Sequence, residues 1–333
     1  MPTLTAIHPA AALPGGELEL TGSDLGPEMT AEIAGVPALV TMARADRATI
    51  RVPEGVLPGD LIVTREGIAS NALPVHVAVA MAENLHPVAN PAVDAHGNVY
   101  ATLSGSRGQQ TPVSIFRIAP SLPGVIHELR PFVRDILNPS GLAFGPDGLL
   151  YVSSRAEGTV YRVGNSGVAQ VYAEGLGIAT GIAFDAAGDL YVGDRSGTIF
   201  KIRTPTAKQS QETFVFTTLE PSIAAYHLAF DSAGTLYVTG PTTASNQQIH
   251  AIDRDGNATV FFSGLGRAQG LAFDADDNLY VAASLEGDRG IVRITPKGDA
   301  SLVISGSNLV GLCFLPGEKL ALATRDAVYE VAF

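Results

Sequence analysis

Between residues 88 and 324 this chain repeats one phrase six times, a variant of Gly-Leu-Ala-Phe-Asp-x-x-Gly-x-Leu-Tyr-Val. The copies begin at Asn90, Gly141, Gly181, His227, Gly270 and Gly311. Repetition of this kind restricts a chain to an array of one supersecondary unit, because each unit can bury its apolar faces only against its neighbours. Within one copy, Leu142-Ala143-Phe144 is a short apolar run, Pro146-Asp147-Gly148 supplies turn residues, and Leu150-Tyr151-Val152 resumes the apolar run. That order predicts an antiparallel hairpin. An alternating segment follows in each copy, as in Thr159 to Val163, Thr198 to Ile202 and Gln248 to Ile252, and predicts a third strand with one buried face. Runs such as Thr213 to Leu219 and Thr259 to Leu265 complete a four-stranded unit.

Taking Tyr100, Tyr151, Tyr191, Tyr237, Tyr280 and Ala321 as markers, the units recur every 40 to 51 residues. Four strands at this period match a β-propeller blade, so residues 79–333 are expected to form a six-bladed propeller. The sixth unit runs out after its third strand, Ala327 to Val331. Residues Ala80 to Asn84 stand where a fourth strand stands elsewhere and can close the ring, which would remove two exposed sheet edges.

Residues 1–78 do not share the period. Short β-rich runs at Glu17 to Thr21, Thr30 to Ile33, Ala38 to Met42, Thr49 to Val52 and Leu61 to Arg65 are separated by Gly, Pro and Asp. They predict a small immunoglobulin-like β-sandwich. The fold class is therefore all-β throughout, a sandwich followed by a propeller, and the short linker implies a defined relative orientation.

Two resemblances extend this reading. Residues 1–78 resemble the IPT/TIG immunoglobulin-like family in Ile7 to Gly26, with turns at Pro14-Gly15-Gly16 and Gly22-Ser23, in Ala48 to Gly55, and in Ser70 to Val77. This resemblance implies a spacer or adhesion module. The propeller repeats resemble the NHL family and its gluconolactonase and senescence-marker-protein relatives, most closely at Gly181 to Val192 and Gly270 to Val281. Fusions of the two kinds imply a bacterial protein. The lactonase relatives hold one divalent cation, Ca²⁺ or Mg²⁺, through a Glu, an Asn and an Asp in the channel. Aligned with those positions here are Ala89, Ser140 and Asp194, so only Asp194 is retained. One ligand of three does not make such a site, and no cofactor is expected.

The loops leading into the inner strands of a propeller converge on one mouth of its channel. The candidate ligand-binding residues there are Asn138, Ser140, Arg155, Thr180, Arg195, Arg267, Gln269 and Arg325. His227 stands where four of the six copies have glycine, with Tyr226 beside it; with Asp194 these form a candidate catalytic set in which His227 would act as general base. The alternative is that His227 fills the space the absent glycine leaves. Asp274 to Asn278 has alternating oxygens but lacks the Gly and distant Glu of an EF-hand, which leaves turn chemistry as its reading. No CxxC, HExxH or GxSxG motif occurs.

The net charge of −12 opposes a nucleic-acid or anionic-membrane partner, and no run is apolar and long enough to span a bilayer. The lone Cys313 is expected to be a buried structural thiol. The opening residues lack a basic region, and their apolar stretch is broken by His8 and Pro9, so no secretory signal is expected. The compartment stays open between the cytoplasm and export after signal removal. Two functions stand: a binding scaffold for a small molecule, glycan or peptide at the mouth, and a hydrolase or lyase of lactonase type acting there.

Overall fold

In the computed structural model, described for residues 1–120, 129–205, 207, 209–240, 242–243 and 247–332, the chain is all-β, with no helix among those residues. The repeated phrase becomes six four-stranded antiparallel blades, four of them separate sheets and the fourth and fifth joined with the N-terminal strands in one 17-stranded sheet. Blade 1 runs Ala92–Val93, Val99–Thr102, Ile115–Ile118 and Leu129–Val133, from axis to rim. Blade 2 comprises Pro139–Phe144, Leu150–Ser154, Thr159–Val163 and Ala169–Ala173, and blade 3 comprises Ala179–Phe184, Leu190–Asp194, Thr198–Arg203 and Glu212–Thr218. Blade 4 is built from His227–Phe230, Leu236–Thr239, Gln247–Ile252 and Ala258–Gly266, and blade 5 from Leu271–Phe273, Leu279–Leu285, Asp288–Ile294 and Ala300–Ser305. In blade 6, Leu309–Leu315, Lys319–Thr324 and Ala327–Ala332 are completed by Val79–Glu83, which pairs antiparallel with the third strand. The expected closing strand is thus the one the chain uses.

Four of the five tyrosines of the phrase pack between two aromatic rings. Tyr151 lies edge-on to Tyr172 of its own outer strand and to Phe184 of the next blade, with centroids 4.9 and 4.8 Å away. Tyr100, Tyr191 and Tyr237 repeat this arrangement, and Tyr280 meets Phe314. Such edge-to-face pairs add roughly 0.5–1.5 kcal/mol each beyond burial and here join consecutive blades. The seam between blades 6 and 1 has Ala321 and Val93 at the two aromatic positions. There, Ala321 packs in a cluster with Met81, Leu85 and Val99.

The sandwich core contains Leu18, Leu20, Ile33, Ile50, Leu61, Val63 and Val75. One sheet orders Thr3–His8, Glu17–Ser23, Arg47–Arg51 and Val36–Ala43; the last strand also pairs with Thr30–Ile33, which continues to Gly59–Arg65 and Leu73–Val77. The two-residue strand Ala11–Ala12 lies parallel to Leu73–Val77 and parallel to the outer strand of blade 5. Leu13 N donates to Ser305 O at 2.8 Å and Glu17 N to Ser305 Oγ at 2.9 Å. Ala11, Leu13 and Ala78 enter an apolar cluster with Ile304, Leu309 and Leu312, so the sandwich is built into the seam between blades 5 and 6.

Candidate functional site

Inner strands of neighbouring blades approach closely at the axis, which explains the glycine that opens four copies of the phrase. A Cβ on Gly181 would lie 2.3 Å from Tyr226 O, and one on Gly311 would lie 2.6 Å from the Asn90 backbone. The two copies without glycine, Asn90 in blade 1 and His227 in blade 4, stand opposite each other in a six-membered ring. Both border one small void between the inner strands. Asn90 Nδ2 donates to Leu271 O at 2.8 Å and its Oδ1 accepts from Leu312 N at 3.1 Å, tying three blades together. His227, 3 % exposed, borders the main cavity and also a void of about 20 Å³ that Asn90 lines.

The main cavity has a volume of about 640 Å³ and is lined from all six blades. Ser140, Arg155, Thr180, Arg195, His227, Arg267, Gln269 and Arg325 all line it, as the convergence of propeller loops predicts. Three expected residues do not. Asn138, buried, accepts from Gly108 N with Oδ1 at 2.7 Å and donates to Gly105 O and Ser106 O, pinning a loop of blade 1. Tyr226 is 3 % exposed in the core between blades 3 and 4, and its hydroxyl donates to Glu220 O. Asp194 accepts from Ile178 N at 2.8 Å and from the Ser196 hydroxyl, which makes it a turn-capping carboxylate. The candidate catalytic set therefore does not converge on the cavity: of its three members only His227 reaches it.

Burial holds the His227 imidazole down at about 4, so it is neutral at physiological pH. Its ring makes no hydrogen bond to another described residue. Burial also pushes the Tyr226 hydroxyl up to about 12, with Glu220 and Asp194 adding to the effect. Where the lactonase-type cation would sit, Ala89 and Ser140 line the cavity with a methyl and a hydroxyl, and the one carboxylate is turned into its own loop. These residues do not fit that cation. No cluster of three or more His, Cys, Asp or Glu able to hold a metal occurs among the described residues. Asp274 spends one oxygen on Asp276 N and Asn278 N and the other on Asn278 Nδ2, as turn chemistry requires. Cys313 is partly buried beside the cluster at the 6/1 seam, with its thiol pushed up to about 12 by burial, which disfavours the thiolate.

The electrostatics of the cavity come from arginine. Arg155, Arg195 and Arg325 occupy one equivalent position, the residue after the second strand of blades 2, 3 and 6. The same backbone bond sets each of them, to Asn138 O, Ile178 O and Asn308 O at 3.1 to 3.2 Å. Arg267 enters from the loop before blade 5. Arg289, which the sequence reading missed together with His86, lies in a hairpin of blade 5 long enough to continue to the Leu285–Asp288 pair. The outer strand of blade 4 extends to pair with this hairpin at Leu265–Leu285 and Gly266–Ser284, which brings Arg267 and Arg289 to one wall. The unusual hairpin length was the available signal. Among the described residues, no aspartate or glutamate lines the cavity.

No family model and no curated protein sequence matches this chain. Solved structures do resemble it. A protein of unknown function from Bacteroides thetaiotaomicron superposes with a TM-score of 0.58 at 13 % identity, covering 99 % of this chain and 98 % of that one. An auxiliary nutrient binding protein from the same organism gives 0.56 at 13 % identity, with 99 % and 97 % covered. A putative gluconolactonase gives 0.59 at 17 % identity over 77 % of this chain and 92 % of the other. The fold is an all-β propeller architecture. At these identities the likeness carries the fold alone.

Proposed function

We propose that this protein is a binding module whose propeller mouth takes up a small molecule, glycan or peptide, with residues 1–78 serving as a fixed mount for the propeller of residues 79–333. The observation that carries this reading is the cavity of about 640 Å³, lined by all six blades, within the size range of small-ligand sites. Its polar lining includes Ser140, Gln269 and the arginines, of which Arg155, Arg195, Arg325 and Gln269 are set by backbone bonds, and suits recognition. The nutrient binding protein of like fold is in keeping with this reading. The resemblance of the sandwich to IPT/TIG modules supports the mounting role, as does its strand-level attachment to blade 5.

A second reading, a hydrolase or lyase acting at the mouth, is favoured by one observation: a neutral imidazole faces the cavity without a protein partner. Saturation-transfer NMR with a panel of monosaccharides, short peptides, organic acids and lactones separates the two. The binding reading expects at least one compound to bind, to remain chemically unaltered after hours, and to be lost in Ala225→Trp, which fills the mouth. Turnover that disappears in His227→Gln with the melting temperature retained would favour the enzyme. Binding that survives Ala225→Trp would refute the site.

A further inference from the structure

From the charges around the mouth we infer that its ligand is a small molecule bearing at least two acidic groups, carboxylate, sulfate or phosphate, held between two opposed arcs of arginine. The inference rests on the binding reading above and specifies its ligand. Arg155 and Arg195 come from blades 2 and 3, whereas Arg267, Arg289 and Arg325 come from blades 5 and 6. In a ring of six, blade 2 faces blade 5 and blade 3 faces blade 6. A ligand with one acidic group can engage one arc, and a ligand with two can bridge both.

Three observations argue that these cations await an anion. First, acidic residues outnumber basic ones 33 to 21 in the whole chain, yet none of these five arginines pairs with a carboxylate among the described residues. Elsewhere Arg51, Arg162 and Arg203 pair with Glu17, Asp147 and Glu212 at 2.7 to 2.8 Å. A concave wall of one sign focuses its field and raises the local concentration of oppositely charged solutes. Second, Arg155 is half-buried, and burial together with the nearby Arg195 disfavours its charged form. Among the described residues its guanidinium reaches only neutral oxygens, Ser104 Oγ and Gly105 O, both at 3.3 Å. A bound oxyanion would relieve both costs, and the planar guanidinium suits bidentate pairing with such groups. Third, Arg267 adopts a left-handed backbone at φ 49°, at the position where blades 2 and 6 place Asn138 and Asn308. Asparagine tolerates this region better than arginine, and strained residues collect at ligand clamps.

Isothermal titration with trigalacturonate, galacturonate, a disulfated disaccharide and tripolyphosphate, against neutral galactotriose as control, tests the inference. The expected result is that one or more multiply charged probes bind at least tenfold more tightly than galacturonate and a hundredfold more tightly than galactotriose. The carboxylate, sulfate and phosphate probes distinguish the three acid chemistries. Affinity should fall with added NaCl. Arg155→Gln and Arg325→Gln, one from each arc, should each weaken binding at least tenfold, whereas Arg162→Gln outside the mouth should leave it unchanged. Arg267→Asn separates ligand binding from stability: it should weaken binding while raising the melting temperature. Galactotriose binding as tightly as trigalacturonate, and lost in Ala225→Trp, would overturn the acidic-ligand inference and leave the binding reading standing. Galacturonate matching trigalacturonate would overturn the bridging of the two arcs. Failure of every probe to bind would overturn the inference, and failure of the broader NMR panel as well would overturn the reading beneath it.

Discussion

Asp185 shows why the repeated phrase has the residues it has. One carboxylate oxygen accepts from Ala187 N and Asp189 N at 3.0 and 2.9 Å, and the other accepts from the Tyr191 hydroxyl at 3.2 Å. Asp94 holds its hairpin and Tyr100 in the same way. In blade 2, where Gly145 takes the aspartate position, Asp147 bonds Leu149 N and the Tyr151 hydroxyl instead. The Asp, the turn Gly and the Tyr are therefore one hydrogen-bonded unit, legible in the sequence as a pattern whose cause lies in three dimensions. His227 is the other residue on which a prediction turns. Because burial lowers its folded pKa to about 4 from the ordinary imidazole value of 6.5, the unfolded chain binds a proton between those values that the folded chain does not. The stability linked to this residue is complete above pH 6.5 and is lost as pH falls towards 4. Thermal melts from pH 7 to 4 should show wild type losing up to about 3 kcal/mol more than His227→Gln over that window. Parallel curves for the two proteins would place the imidazole in contact with water.

At the scale of elements, the closing strand and the aromatic joints do different work. Five seams carry an edge-to-face aromatic joint, so neighbouring blades there are coupled by contacts of short sequence separation. The sixth seam, between blades 6 and 1, packs aliphatic residues, and Val79–Glu83 completes blade 6 through its ladder to Ala327–Ala332. Removing residues 326–333 would leave Val79–Glu83 and Lys319–Thr324 as open strand edges. That deletion should give aggregated protein in size-exclusion chromatography; a monomer with the wild-type melting temperature would show that the ladder is dispensable. The strand order and its closure were legible because alternation and period survive in every copy. The length of the blade 5 hairpin was equally visible in the sequence, but its consequence was not: only the pairing of Gly266 with Ser284 shows that it brings Arg267 and Arg289 together.

For the whole molecule, the strand Ala11–Ala12 makes the sandwich and propeller structurally continuous, with Leu13, 3 % exposed, sealed against blades 5 and 6. An added Cβ on Gly306, which lines the mouth, would come within 2.8 Å of Leu13, so the mount reaches the rim of the cavity. Scanning calorimetry of the wild type should show one transition, and Leu13→Asp, which places a charge in that seam, should split it in two. A single unshifted transition in the variant would mean that the two parts are energetically independent. What the sequence determined by itself was periodic: which residues pair as strands, how many blades form, which segment closes the ring, and which loops face the mouth. Those properties follow from local alternation and turn chemistry, which each repeat carries in full. Side-chain direction was decided only by the tertiary structure. Asp194 turns inward because Ile178 N and Ser196 offer it donors, Tyr226 because a buried space between two blades accepts its ring, and the five arginines face one another across a cavity only when distant blades are brought round a common axis.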